Sequence, residues 1–348
     1  IEVDILTRRI KDPDWPEFSE PVTHYDSERE RLRIVRIPCG GDSFLAKEAL
    51  WPHLREWVTG IMRFYDNRLP DFFTSHYADG GYAGVVLKQE SSSGFTFTGH
   101  SLGAQKLDKL DMNPANSKSL DARFHFSRRI AAERLSMREA SRIITSTGQE
   151  RMEQYAHPLY TSAVESGDDE RFAVIPPGVN TRIFGAEPGP VDEAVTASLT
   201  ERLPDLERPR IVISSRLDEK KNILGAVRAY CGSPVLRQRA RLALYLRDVN
   251  DPFEQIKNLP PGERSVLEPI LHLIDSSGAR SYVDFVNATS QQVLAASYRF
   301  FAQRASVFVL SSLYEPFGLA PIEAGACGLA VVGTRNGGPS EIFADGSG

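Results

Sequence analysis

The sequence predicts an α/β protein of two domains, and three observations carry that prediction. Short β-branched or aromatic runs alternate with helix-length segments along nearly the whole chain; such alternation implies parallel sheets with helices on both faces. The length, 348 residues, exceeds what one ordinary domain needs. A Pro- and Gly-rich stretch at 176–209, with no long apolar run, interrupts the alternation and reads as a connection. The expected division is therefore a domain over 1–180, a linker over 181–207 and a second domain over 208–348.

In chain order, the first domain should hold strands at Val3–Thr7, Leu32–Pro38, Phe72–His76, Phe95–Gly99, Arg142–Thr145 and Phe172–Ile175. The second should hold Ile211–Ser214, Leu242–Leu246, Tyr282–Val286, Ser306–Leu310 and Ala330–Gly333. Phe126–Glu139, Asn222–Tyr230 and Gln291–Arg304 have helical spacing. No repeat at a period of 20–50 residues stands out.

Composition narrows the function. With 41% hydrophobic and 25% charged residues the chain is globular, and no apolar run approaches the 18 or so residues of a membrane span. A net charge of −5 gives no electrostatic case for nucleic acid. Three distant cysteines, Cys39, Cys231 and Cys327, form no CxxC pair, so a reducing cytoplasm is the simpler expectation. The chain opens without methionine and stops just after a helix start, which reads as an internal piece of a longer protein.

In open parallel sheets, ligands sit at the carboxyl ends of the strands, and the unusual residues gather there. "SSRLDEKKN" (214–222) follows a strand and brings Arg216 and Lys221 toward a helix N-terminus. It is either an anion site or a solvated charged loop. "YEPFGLAPIE" (314–323) also leaves a strand. Gly318 allows close backbone approach, and the N–H groups of Phe317, Gly318 and Leu319 should face outward at the helix start. Glu315 would repel phosphate and suits hydroxyls, as on a sugar; it and Glu323 could equally be acids favourable to the helix dipole.

In the first half, His100 follows a strand between Gly99 and Gly103. It could donate to a sugar hydroxyl or to developing charge, or be merely structural. Lys47, Arg128 and Arg129 sit where loops enter helices and could hold a second phosphate, or form a solvated face. "HYADGG" (76–81) follows a strand; its two glycines suggest a close turn, and Tyr77 could wall a sugar site. A metal held by His76 and Asp79 lacks a third ligand at suitable spacing. No G-x-S-x-G elbow, P-loop or HExxH string occurs.

Together these strings resemble the retaining GT-B glycosyltransferases, and within them the sucrose-phosphate synthases. "SRLDEKKN", "IPPGVN" (175–180), "EPFGLAPIE" and "NGGPSEI" (336–342) are generic to the wider family, while "TRRIKD" (7–12), "VRIPCGG" (35–41), "GHSLGAQK" (99–106) and "FSRRIAAE" (126–133) are more particular. The resemblance implies a GT-B fold, two Rossmann-like domains facing across a cleft. The first domain would bind the acceptor and the second the nucleotide sugar. Arg216 and Lys221 would hold the diphosphate in place of a metal ion, with no cofactor. Glu315 would contact hydroxyls of the donor sugar and Glu323 those of the ribose. Phe317, Gly318 and Leu319 would present N–H groups, and His100 would lie near the reacting carbon. Lys47, Arg128 and Arg129 would bind the phosphate of fructose 6-phosphate, with Tyr77 beside it.

The implied reaction moves glucose from UDP-glucose or ADP-glucose to fructose 6-phosphate with retention. The other readings are free fructose as acceptor, a mannosyl donor, or a nucleotide-sugar-binding protein without catalysis. A Gly-rich loop and terminal helices that the family carries would lie before Ile1 and after Gly348.

Overall fold

The strands of the computed structural model begin with β1 (Glu2–Arg9), β2 (Val22–His24) and β3 (Arg31–Pro38), then β4 (Phe72–His76), β5 (Gly94–Thr98), β6 (Arg142–Thr145) and β7 (Phe172–Val174). Residues 2–25, 31–110 and 112–344 are described. These seven strands lie in one unit, up to Ile175, and the second unit starts at Pro176.

The first unit carries two sheets rather than one. The order β4-β5-β6-β7 is parallel throughout. In the other, β3 pairs with β1 in parallel and with β2 antiparallel. Its register places Asp4 opposite Arg33. The guanidinium donates to both Asp4 oxygens, at 2.7 and 2.6 Å, and the Tyr65 hydroxyl donates to Oδ2 at 2.6 Å. The antiparallel β2 was not foreseen, since three residues are too few to show an alternation.

The second unit holds β8 (Arg210–Ile213), β9 (Arg241–Tyr245), β10 (Val283–Val286), β11 (Val307–Leu310) and β12 (Ala330–Gly333). Its parallel sheet runs β10-β9-β8-β11-β12. One apolar cluster, with Phe184, Leu199, Tyr298, Phe301 and Phe308, and another, with Ile223, Val227, Leu267 and Ile270, sandwich that sheet. Helices on both faces follow. Among the described residues no helix is long and apolar enough to cross a membrane.

Two expectations need correction. Residues 181–207 are no free linker. They include a helix, Asp192–Arg202, and Phe184, Leu199 and Leu203 are buried in the second core. Asp192 accepts two bonds from Arg299, at 2.7 and 2.6 Å. The signal was a stripe at every fourth residue, Val195, Leu199 and Leu203, which counting Pro and Gly overlooked.

The glycines of "HYADGG" make no turn either. Both lie in the helix Tyr77–Ser91. A Cβ on Gly81 would meet Ser136 Oγ at 2.4 Å, and one on Gly84 would meet Ser75 Oγ at 2.4 Å and the Phe95 ring at 2.8 Å, so small residues let this helix sit close on β4 and β5. Gly84→Ala should then lower stability by about 1–3 kcal/mol through overpacking. Gly80→Ala, whose Cβ meets nothing nearer than 4.0 Å, should be neutral or stabilise by up to about 1 kcal/mol. Urea midpoints of the two variants check this; equal shifts would refute the packing argument.

Candidate active site

In the second unit, strand order reverses between β8 and β11, the switch point where open α/β sheets bind ligands. Both acid- and cation-bearing strings leave the sheet there. After β8 the chain turns through a short 3-10 segment, Glu219–Lys221, in which Asp218 accepts from the Lys220 N–H at 3.0 Å. Asn222 then takes a left-handed conformation before the helix Ile223–Cys231. After β11, Ser311 Oγ donates to the Lys221 carbonyl at 2.8 Å and the Leu313 N–H to the Lys220 carbonyl at 2.9 Å. The two loops are thus fastened to each other.

That fastening brings Lys221 Nζ to 2.6 Å from Glu315 Oε2, and Ser312 Oγ donates to the same oxygen at 3.1 Å. The side chains are only 21% and 13% exposed, so the pair is partly desolvated and screened less than a surface bridge. Arg216 is exposed and makes no ion pair among the described residues. Glu315 and Lys221 were expected on different parts of a ligand; in the protein alone they hold each other.

A third loop closes the site. The Glu315 N–H donates to the Asn336 carbonyl at 3.2 Å, and the Gly338 N–H to the Glu315 carbonyl at 2.8 Å. Gly337 has φ +99°, and a Cβ there would stand 2.0 Å from the Glu315 carbonyl oxygen. Only glycine fits. Gly318, at φ +100°, starts the helix Leu319–Ala326, with Phe317 buried and Leu319 exposed. The N–H groups of Phe317 and Gly318 make no hydrogen bond among the described residues. Glu323 lies within that helix, and burial raises its carboxyl above the usual range.

In the first unit, His100 follows β5 with φ +55°. Its Nε2 stands 2.9 Å from Nδ1 of His76, which ends β4, and the exposed Tyr77 ring lies 4.8 Å from its own. The loop around His100 is held from below. The Gly99 N–H donates to the Tyr155 hydroxyl at 3.1 Å, and the Ala104 N–H to that of Tyr160 at 3.1 Å. The Gly103 N–H donates to both oxygens of Glu133, at 2.9 and 3.0 Å. Tyr160 donates to Glu133, and Arg129 donates to the Ser101 carbonyl and, at 2.9 Å, to Glu133. Burial pushes the Glu133 carboxyl up, opposed by Arg129 and by the Tyr160 hydroxyl.

Arg129 is therefore corrected: its guanidinium, 12% exposed, is committed to Glu133 and Ser101 and is not available to an acceptor phosphate. Its neighbour Arg128 is exposed, without an ion pair among the described residues. Lys47 opens the short helix Lys47–Leu50 and makes only a loose, exposed pair with Glu48 at 3.7 Å. The loop before it is clamped by Arg8, which donates to the carbonyls of Cys39, Gly40, Gly41 and Ser43.

Ser312 and the Asn336–Gly338 loop were given no role from the sequence, and His76 was weighed only as a metal ligand with Asp79. The strand-end position of His76 and the "NGGPSEI" string were the available signals.

Two family models match the chain: sucrose synthase first GT-B domain over residues 5–188, and glycosyl transferases group 1 over 198–348. A probable sucrose-phosphate synthase of Thermosipho melanesiensis is 43% identical over 99% of this chain and 74% of its own length. The chain belongs to the sucrose-phosphate synthase family. A sucrose-phosphate synthase of Zea mays is 32% identical over 98% of the chain, which spans only 37% of that relative. The structure of the family member from Thermosynechococcus elongatus superposes with a TM-score of 0.69 at 25% identity, covering 98% of this chain and 73% of that one. The GT-B fold expected from the motifs is the fold of these relatives.

Proposed function

We propose that the protein transfers a glucosyl group from UDP-glucose or ADP-glucose to fructose 6-phosphate, forming sucrose 6-phosphate with retention. The observation that carries this is the switch-point site, with Arg216 and the Lys221–Glu315 pair, in a chain of this family. The bond from the anomeric carbon to the diphosphate breaks with its electron pair leaving on the diphosphate, a hydroxyl oxygen of fructose 6-phosphate bonds to that carbon on the same face, and the hydroxyl proton passes to the departing phosphate oxygen. Arg216 and Lys221 stabilise that charge, the work elsewhere done by preorganised donors or cations. Glu315 then turns from Lys221 toward sugar hydroxyls, and Glu323 holds the ribose. The free N–H groups at Phe317 and Gly318 add uncharged donors beside the anion.

The acceptor phosphate falls to Lys47 and Arg128, two exposed cations without strong internal partners. Mass-resolved product analysis of the full-length protein with UDP-glucose or ADP-glucose and fructose 6-phosphate tests the reaction; a product made only from free fructose would overturn it. The sucrose synthase model matched by the first unit favours that second reading. The variant Lys47→Ala/Arg128→Ala separates the two. The apparent KM for fructose 6-phosphate should rise at least about a hundredfold, as two charge-assisted contacts at about 1.5–3 kcal/mol each imply, with the donor KM nearly unchanged.

A further inference from the structure

The His76–His100 contact has a geometry that fixes more than proximity. The ring planes lie 17° apart with centroids 5.1 Å apart, while the two nitrogens are 2.9 Å apart. The centroid distance is longer than the nitrogen distance by about two ring radii. The rings therefore meet edge to edge in nearly one plane, the arrangement of an in-plane N–H···N bond and not of a face stack. Burial lowers both imidazole pKa values, that of His100 further through His76, which favours the neutral form of each ring.

Two neutral imidazoles joined this way must set one N–H against one lone pair. A free imidazole side chain favours the tautomer with hydrogen on Nε2. Only one of the two pairings lets both rings keep that tautomer: His100 donates from Nε2, and His76 accepts at Nδ1. His100 makes no other hydrogen bond among the described residues, so its Nδ1 is left as a bare lone pair.

We propose that His76 is a positioning residue that holds His100 in the Nε2–H tautomer, leaving Nδ1 to accept from a hydroxyl of a bound sugar. The partner of one ring nitrogen decides what the other can do. His100 is then a reader of sugar hydroxyls and not a donor to developing negative charge, one of the roles open to it from the sequence. This role rests on the glycosyltransferase reading above; the pairing of the two rings does not.

The test uses the full-length protein labelled with 15N-histidine and long-range 1H–15N correlation spectra, with His76→Leu assigning the signals. The unmutated protein should show His100 protonated at Nε2 and bare at Nδ1. In His76→Leu both tautomers of His100 should appear, and kcat should fall on the order of tenfold or more, the usual scale for losing an orienting partner, with the acceptor KM unchanged. His76→Asn, whose amide oxygen stands where Nδ1 stood, should recover most of that loss. A His100 protonated at Nδ1 in the unmutated protein would overturn the proposal, as would a His76→Leu variant with undiminished kcat. The expected tautomer in a protein that forms no sucrose phosphate would uphold the pairing and overturn the reaction.

Discussion

Under the proposed reaction, Lys221→Ala should lower kcat about a hundred- to a thousandfold, the usual consequence of removing one preorganised group that stabilises developing negative charge. Two effects act in the same direction. The proposed leaving diphosphate would lose a cation, and Glu315, 2.6 Å away in the parent and 13% exposed, would be left as an unpaired carboxylate facing it. Glu315→Gln should also lower kcat, through lost contacts to the sugar. It should nevertheless leave the nucleoside diphosphate bound at least as tightly, because the lysine is no longer shared. The double variant should therefore bind the diphosphate better than Lys221→Ala alone. Steady-state kcat and product-inhibition constants for the four proteins complete a cycle. Additive effects on diphosphate binding would mean that the pair does not act as a unit.

Glu133→Ala should strongly destabilise the first unit. Glu133, 1% exposed, accepts from the Gly103 N–H, Arg129 and Tyr160 at once. Removing it leaves a hydroxyl and an amide without an acceptor in a sheltered place, and a guanidinium with only the Ser101 carbonyl to donate to. Breaking a buried ion pair from one side costs about 3–5 kcal/mol, which lowers the melting point of a unit this size by roughly 10 °C. Tyr160→Phe removes one donor and should cost less, about 1–3 kcal/mol. Calorimetry of the full-length protein reads both, and activity below the melting point reads the loop. A Glu133→Ala variant that melts with the parent would show the network to be dispensable. One that melts early but keeps full kcat would mean that this support does not position His100.

Much of this site was readable in one dimension. Glu315 precedes a proline and Glu323 lies inside a glycine-started helix, and strand-end placement made an anion site one of two readings of "SSRLDEKKN" before any contact was known. The eleven expected strands form to within two residues of their expected bounds. The misses share a cause. Arg128 and Arg129 look alike in sequence, yet successive residues point about 100° apart around a helix. The buried stripe of Phe126, Ile130 and Glu133 turns Arg129 inward and leaves Arg128 in water. The i,i+4 spacing of Arg129 and Glu133 was the overlooked sign of their pairing. The pairing of His76 with His100 was missed because the two lie 24 residues apart; the parallel register that sets His76 beside Thr98, two residues before His100, is a property of the sheet.

The sequence by itself determined the α/β class, the strand-end loops and the residue types that suit a sugar and two phosphates, because local periodicity and turn chemistry are written in neighbouring residues. It could not determine which loops meet. That β8 lies beside β11, so that residues 94 apart form one ion pair, follows from the order β10-β9-β8-β11-β12. Strand order is settled by which apolar faces can be buried together across the whole unit, and a list of strands in sequence leaves it open. Only the tertiary structure gave Lys221 to Glu315, committed Arg129 to Glu133 and set His76 against His100.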